Sequence, residues 1–174
     1  RELKNELFAK FKLNLNFSKK LQYNFFPRPH FSTQETLIFY DDNEKNIGIC
    51  HAGWKGLTRG IIENTINKMN YLGSKNRKIT AVIGPCIRKM SYEVSENFIK
   101  DLPDHYKQFS FLYNSKLYFN LPKLASYILS NKGIIKIKDV RKNTFLDRNY
   151  FSFRESKKKN WDDYGRNISL ITIN

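Results

Sequence analysis

Residues 46–56, NIGICHAGWKG, constrain the fold more than any other stretch: an apolar run stops at a histidine and gives way to two glycines bracketing a tryptophan and a lysine. Residues 46–50 read as a short strand. That puts His51 at the strand's carboxyl end, the edge of an α/β sheet where ligands collect. Gly53 and Gly56 supply the sharp turn, since glycine tolerates positive φ and lets backbone amides approach a ligand, and the helix expected next offers unpaired N–H groups to an anion. Lys55 adds a positive charge there. The same spacing also suits an ordinary strand-to-helix turn with Trp54 in the core and His51 hydrogen-bonded, so on these residues alone both readings stand.

At 174 residues the chain suits one domain, able to bury close to ~70% of the surface its unfolded form exposes. Two cysteines, Cys50 and Cys86, are too few for a secreted disulfide framework and sit in apolar settings where a reduced thiol acts as a small hydrophobe. A reducing cytoplasm is the expected compartment. No uninterrupted apolar run approaches the ~18 residues that span a bilayer, and the amino terminus is charged where a signal peptide is apolar. A soluble protein with no membrane partner is expected, and Arg1 in place of an initiator methionine points to a natural start further upstream.

The 31 basic and 16 acidic residues give a formal net charge of +15, which attracts phosphate polyanions and anionic surfaces. The lysines are nevertheless spread over the whole chain. They accompany abundant Asn, Ile, Phe and Tyr, as AT-biased coding produces without selection for binding, and the densest cluster, Lys157 to Lys159, is flanked by Glu155, Asp162 and Asp163. The balance is against a nucleic-acid partner and compatible with an anionic small molecule.

Residues 1–34 form a poorly readable amino-terminal segment with a helical fragment over 2–12, and residues 35–174 read as the single domain. His30 lacks a second ligand at convergent spacing and reads as a loop residue. Residues 35–40 and 46–51 predict two paired strands joined through 41–46. Apolar residues from Leu57 to Met69 recur at helical spacing, and residues 78–84 predict a strand ended by Gly84 and Pro85. Residues 91–102 read as a helix stopped before Pro103, and 109–119 as strand and turn. The strongest helix signal has Asn120 as N-cap, Pro122 in the first turn and Gly133 as the stop. Three β-like segments follow at 134–140, 149–154 and 167–173, giving a mixed α/β domain with no internal repeat.

Cys86 follows a strand end, where a lowered pKa would make it a nucleophile if His51 served as base; a buried structural thiol is the simpler reading. No nucleophile elbow and no Walker or Rossmann glycine loop occurs.

The ordered motifs HAGWKG at 51–56, IGPCI at 83–87, YEV at 92–94, YFSFR at 150–154 and YGR at 164–166 resemble the YfiH-type laccase-domain family, often labelled polyphenol oxidases. The resemblance runs from about residue 37 to 173. It includes LYFNLPKLASYIL at 117–129, similar to the family's aspartate-containing strand-to-helix connection with Asn120 in the aspartate's place. The resemblance implies a layered α/β/α sandwich with a mixed sheet, related to the deamidase domain of cytotoxic necrotizing factor toxins. It also implies a purine nucleoside phosphorylase acting on adenosine, inosine and methylthioadenosine, with adenosine deaminase activity beside it.

In that family one zinc is held by two histidines and a cysteine, and His51 matches one of the histidines. The family's cysteine precedes that histidine by 17 residues, where this chain has Gln34. A neutral amide oxygen is a poor zinc ligand beside a thiolate or an imidazole. The other family histidine falls at or before Arg1. Lys55 stands where arginine is usual and keeps the charge without the planar fork, while Glu155 replaces the second arginine of a paired motif. Arg154 and Arg166 match the remaining basic positions; each suits a substrate anion or a structural ion pair.

The expectation is a purine nucleoside phosphorylase-like chain, with nucleoside and phosphate as small-molecule partners, His51 as metal ligand, Lys55, Arg154 and Arg166 toward phosphate, and an incomplete zinc site that leaves both an active and an inactive chain open. The rival is a basic module for nucleic acid or anionic surfaces, supported by the charge and an aromatic content of 15%. Copper is the weaker metal choice, because a blue-copper site needs two histidines and a cysteine, and adjacent Cys50 and His51 on a strand point to opposite faces.

Overall fold

The computed structural model describes residues 36–161 together with Asn167, Ser169, Ile171 and Thr172. The helical fragment expected over 2–12, His30 and Gln34 lie outside the described residues, as do Ile168, Leu170 and Ile173 of the segment 167–173.

Alternating apolar residues make Thr36–Asp41 (β1) and Asn46–His51 (β2) an antiparallel pair in full register, from Thr36 opposite His51 to Asp41 opposite Asn46. The connecting turn is nucleated locally. Asp41 Oδ1 accepts from the backbone N–H of Asn43 at 3.0 Å, an Asx turn that short polar side chains favour. Thr80–Ile83 (β3) pairs antiparallel with the other side of β1, and Lys136–Asp139 (β7) pairs parallel with β3. The sheet order is therefore β2-β1-β3-β7, a mixed sheet in an α/β chain, as the sequence implied.

Period-two alternation decides which residues meet the core. Leu37, Phe39, Ala81 and Ile83 are fully buried on one face. Helices Trp54–Thr58 (α1), Ile61–Tyr71 (α2) and Leu121–Asn131 (α4) supply the facing apolar stripes, with Leu57, Ile62, Ile66, Leu124, Ala125 and Leu129 in the same core. Gly48 of β2 lies close under α2, since a Cβ there would come within 3.2 Å of Met69 Sδ.

The helix expected to run unbroken from Leu57 to Met69 is two helices. Gly60, at φ 82°, takes a left-handed conformation that L side chains avoid, and the chain changes direction between α1 and α2. A second correction concerns residues 91–102. Glu93–Val94 (β4) pairs with Lys116–Phe119 (β6), which in turn pairs with Ser110–Tyr113 (β5) in a separate three-stranded sheet. Only Glu96–Lys100 (α3) is helical there, because Ser95 caps it by accepting from Phe98 N–H at 3.2 Å. A 3-10 turn at Asp104–Phe109 leads into β5.

The strand expected over 149–154 is also overturned. Phe153–Lys158 is a short helix (α5), since Ser152 Oγ accepts from Glu155 N–H at 3.3 Å and Glu155 occupies the third helical position, the S-x-x-E pattern that starts helices. Asn120 does cap α4, accepting from Lys123 N–H at 3.2 Å, and Gly133 ends it at φ 76°.

Candidate functional site

His51 closes β2 and Trp54 opens α1, so the whole strand-to-helix passage is made by Ala52 and Gly53. Both are buried, while His51 and Lys55 are exposed on the outside of the turn. The glycines work differently from expectation. Gly53 sits at φ −61°, ψ 163° and neither it nor Gly56 adopts positive φ. Gly56 is needed for proximity, because a Cβ would stand 3.1 Å from the His51 carbonyl oxygen. The missing side chain lets the first turn of α1 press against the backbone that carries the imidazole.

Partial desolvation by the surrounding protein holds the His51 imidazole below the ordinary histidine pKa of 6.5. At neutral pH the ring is uncharged and able to accept a proton or a hydrogen bond. Lys55 extends its Nζ over the Trp54 ring, 5.5 Å from the centroid, where the ring's negative face attracts an ammonium.

Trp54 is half-buried. Its ring meets Phe98 of α3 edge-on at 4.8 Å, and Phe98 in turn packs against Tyr92 at 5.9 Å and Phe119 at 5.1 Å. Such edge-to-face contacts pair positive ring edges with negative faces. Arg154, from the first turn of α5, lies over the far member of this cluster, with Cζ 5.4 Å from the Tyr92 centroid, and donates from NH1 to the Glu93 carbonyl at 2.8 Å. Burial pushes the Tyr92 phenol up to about 12, and Arg154 pulls it back only in part. Lys55 and Arg154, remote in sequence, are thereby seated on one aromatic cluster.

The other residues at motif positions have local duties. Glu155 donates its backbone N–H to the Ser152 cap and binds Lys159 through its carboxylate at 2.6 Å. Cys86 is wholly buried, its backbone bonded on both sides to the 142–144 segment. No helix follows it directly, the next one starting at Glu96. Arg166 lies outside the described residues. The sequence placed Tyr92 and Ser152 in motifs without showing their roles as ring platform and helix cap, and Phe98 carried no signal for its place in the cluster; the S-x-x-E pattern signals the Ser152 cap.

A zinc site takes three protein ligands. His51 stands at the rim on one face of β2, whereas Cys50, 8% exposed, points into the core on the other. Among the described residues no three His, Cys, Asp or Glu side chains converge. These residues do not by themselves fit a zinc or a copper centre.

A mixed α/β sheet with an imidazole at its rim and two cations on an adjoining aromatic cluster defines an α/β domain. Residues 35–174 match the family described as multi-copper polyphenol oxidoreductase laccase, and the chain belongs to that family. It is 34% identical over 116 residues to "Purine nucleoside phosphorylase RP494" of Rickettsia prowazekii, covering 64% of this chain and 48% of the relative. To "Purine nucleoside phosphorylase RC0672" of Rickettsia conorii it is 33% identical over 138 residues, covering 76% of this chain and 56% of the relative. Among solved structures, the Bacillus licheniformis hypothetical protein YfiH superposes with a TM-score of 0.63 at 28% identity, over 74% of this chain and 52% of that one. The chain spans about half the length of the relatives it matches.

Proposed function

We propose that this chain is purine nucleoside phosphorylase-like, binding a purine nucleoside and phosphate at the β2–α1 rim, and that its zinc site is incomplete. The relatives bearing that name support the substrate class. The observation that supports the reading is the shared aromatic cluster, on which Lys55 and Arg154 both rest beside the His51 turn.

Lys55 and Arg154, joined by Arg166, hold phosphate; the neutral His51 imidazole takes a hydrogen bond or a proton from the nucleoside. Arg154 already spends NH1 on the Glu93 carbonyl, which fixes its plane over Tyr92 and leaves its other donors for the anion. Lys55 supplies charge without the two-point grip of a guanidinium, so phosphate is bound with looser orientation. Adenosine, inosine and methylthioadenosine are the nucleosides expected, with adenosine deamination as the accompanying activity of the family. Gln34 in place of a thiolate removes a metal ligand, and turnover by this chain alone is lost. Residues 35–174 act as one domain, in a reducing cytoplasm.

Zinc content and inosine phosphorolysis measured on the purified chain test this reading. The expected result is substoichiometric zinc, no hypoxanthine release and inosine binding that Lys55→Ala and Arg154→Ala each weaken. Stoichiometric zinc with turnover overturns the inactivity; binding indifferent to both substitutions overturns the site.

A further inference from the structure

Away from the His51 rim, the loop after β3, the first turn of α4 and the end of β7 line an open groove of about 490 Å³, with Arg88, Lys89, Lys123 and Arg141 among its lining residues. A second hollow of about 250 Å³ shares Lys89, Asn120 and Lys123 with it and runs on toward Phe109 and Phe111. The two form one trough. Neither includes His51, Lys55 or Arg154.

Its charge is unbalanced. Asp139 is the one carboxylate lining it among the described residues, and its two oxygens are taken by Arg88 NH1 and NH2 at 2.7 Å each. Arg88 Nε donates to the Lys142 carbonyl at 3.1 Å, so Arg88 and Asp139 compensate each other as a fixed frame. Among the described residues Lys89, Lys123 and Arg141 form no ion pair within 4.0 Å of a carboxylate, although Arg141 also feels the Asp139 charge. Three like charges from three separate elements repel one another and together raise the local positive potential. Neutral donors stand beside them. Asn120 spends Oδ1 on the helix cap, which leaves its amide N–H groups for another acceptor, and Ser126 brings a hydroxyl one turn further along α4.

Arg141 is placed by its own backbone. It is held at φ 58°, in the left-handed region, with its N–H donated to Asp139 Oδ1 at 2.7 Å. The carboxylate that locks Arg88 therefore also sets the turn that presents Arg141.

We propose that this trough is a binding site for a small, multiply charged phosphate compound, held by Lys89, Lys123 and Arg141 and distinct from the rim site. The compact convergence of charge favours a small phosphate over a polynucleotide, which would need a longer basic track.

Calorimetric titration of the purified chain with inorganic pyrophosphate at low salt tests the proposal. Binding is expected that Lys89→Met with Lys123→Met weakens at least ~10-fold, by loss of two of three counter-charges, and Arg141→Met similarly, while Lys68→Met on the exposed face of α2 leaves it unchanged. Methionine keeps the aliphatic stems, and circular dichroism confirms that each variant folds. Absence of pyrophosphate binding overturns the proposal, as does binding indifferent to the trough variants or weakened equally by Lys68→Met. A single-stranded oligonucleotide that binds while pyrophosphate does not, and that the trough variants release, overturns it in favour of a nucleic-acid groove.

Discussion

Arg88 meets Asp139 through two parallel hydrogen bonds of 2.7 Å, joining the loop after β3 to the end of β7. The side chains are 18% and 28% exposed, so solvent screens the pair only in part. Desolvation raises the Asp139 carboxyl, but the Arg88 hydrogen bonds and the Arg141 N–H outweigh it and hold the pKa below the ordinary carboxylate value. A depressed folded pKa gives stability that is present above the unfolded value near 4 and is lost as pH falls through the folded one. Arg88→Ala is expected to cost about 1–2 kcal/mol at pH 7 and to reduce the loss of stability below pH ~4. Urea denaturation at pH 7 and pH 3 checks both; an unchanged acid response contradicts the assignment.

Phe98 holds together the platform on which Lys55 and Arg154 rest. It touches Trp54, Tyr92 and Phe119 and is itself only half-buried. Phe98→Ala is expected to destabilise the fold by about 2–3 kcal/mol, less than a fully buried phenylalanine would. It should also shift tryptophan emission, because Trp54 loses its edge contact. A loss under ~0.5 kcal/mol, within the range of a surface substitution, would show that the cluster is not a packing unit.

What the sequence made legible was local. The β1–β2 pair follows from alternation, and α4 from a cap, an early proline and a terminal glycine, all of them short-range signals. Residues 91–102 were misread because Val94, Phe98 and Ile99 fit a helical stripe, whereas strand pairing of Glu93 and Val94 with β6 decides the outcome through distant partners. Residues 149–154 read as β-like, but the Ser152 cap with Glu155 prevails. His51 and Lys55 were visible because one turn carries both. That Arg154 would reach the same platform depends on Tyr92 and Phe98 meeting Trp54, a tertiary fact with no spacing to betray it. The Lys89, Lys123 and Arg141 trough was missed for the same reason.

His51 should titrate below 6.5 in the folded chain, since partial desolvation disfavours its charged form. The unfolded imidazole then binds protons more readily than the folded one, so stability rises with pH across the window at and just below 6.5 and falls on acidification. Nuclear magnetic resonance titration of the ring, assigned by comparison with His51→Gln, measures the midpoint directly. A midpoint above 6.5 would mean that an unrecognised anionic group faces the imidazole.

Asn120 links helix stability to the charge of the trough. Its Oδ1 caps α4 while the residue lines the groove beside Lys89 and Lys123. Asn120→Ala removes the cap and is expected to cost about 1 kcal/mol. Asn120→Asp keeps the acceptor and adds a negative charge at the positive end of the helix, next to uncompensated lysines, which should stabilise the fold by about 0.3–1 kcal/mol. The same charge occupies the field that would otherwise attract phosphate. Asn120→Asp is therefore expected to raise the melting temperature while weakening pyrophosphate binding, two effects of opposite sign from one substitution. Thermal unfolding and calorimetry on the same preparation separate them, and a variant that gains stability without losing pyrophosphate would show that the anion is bound elsewhere.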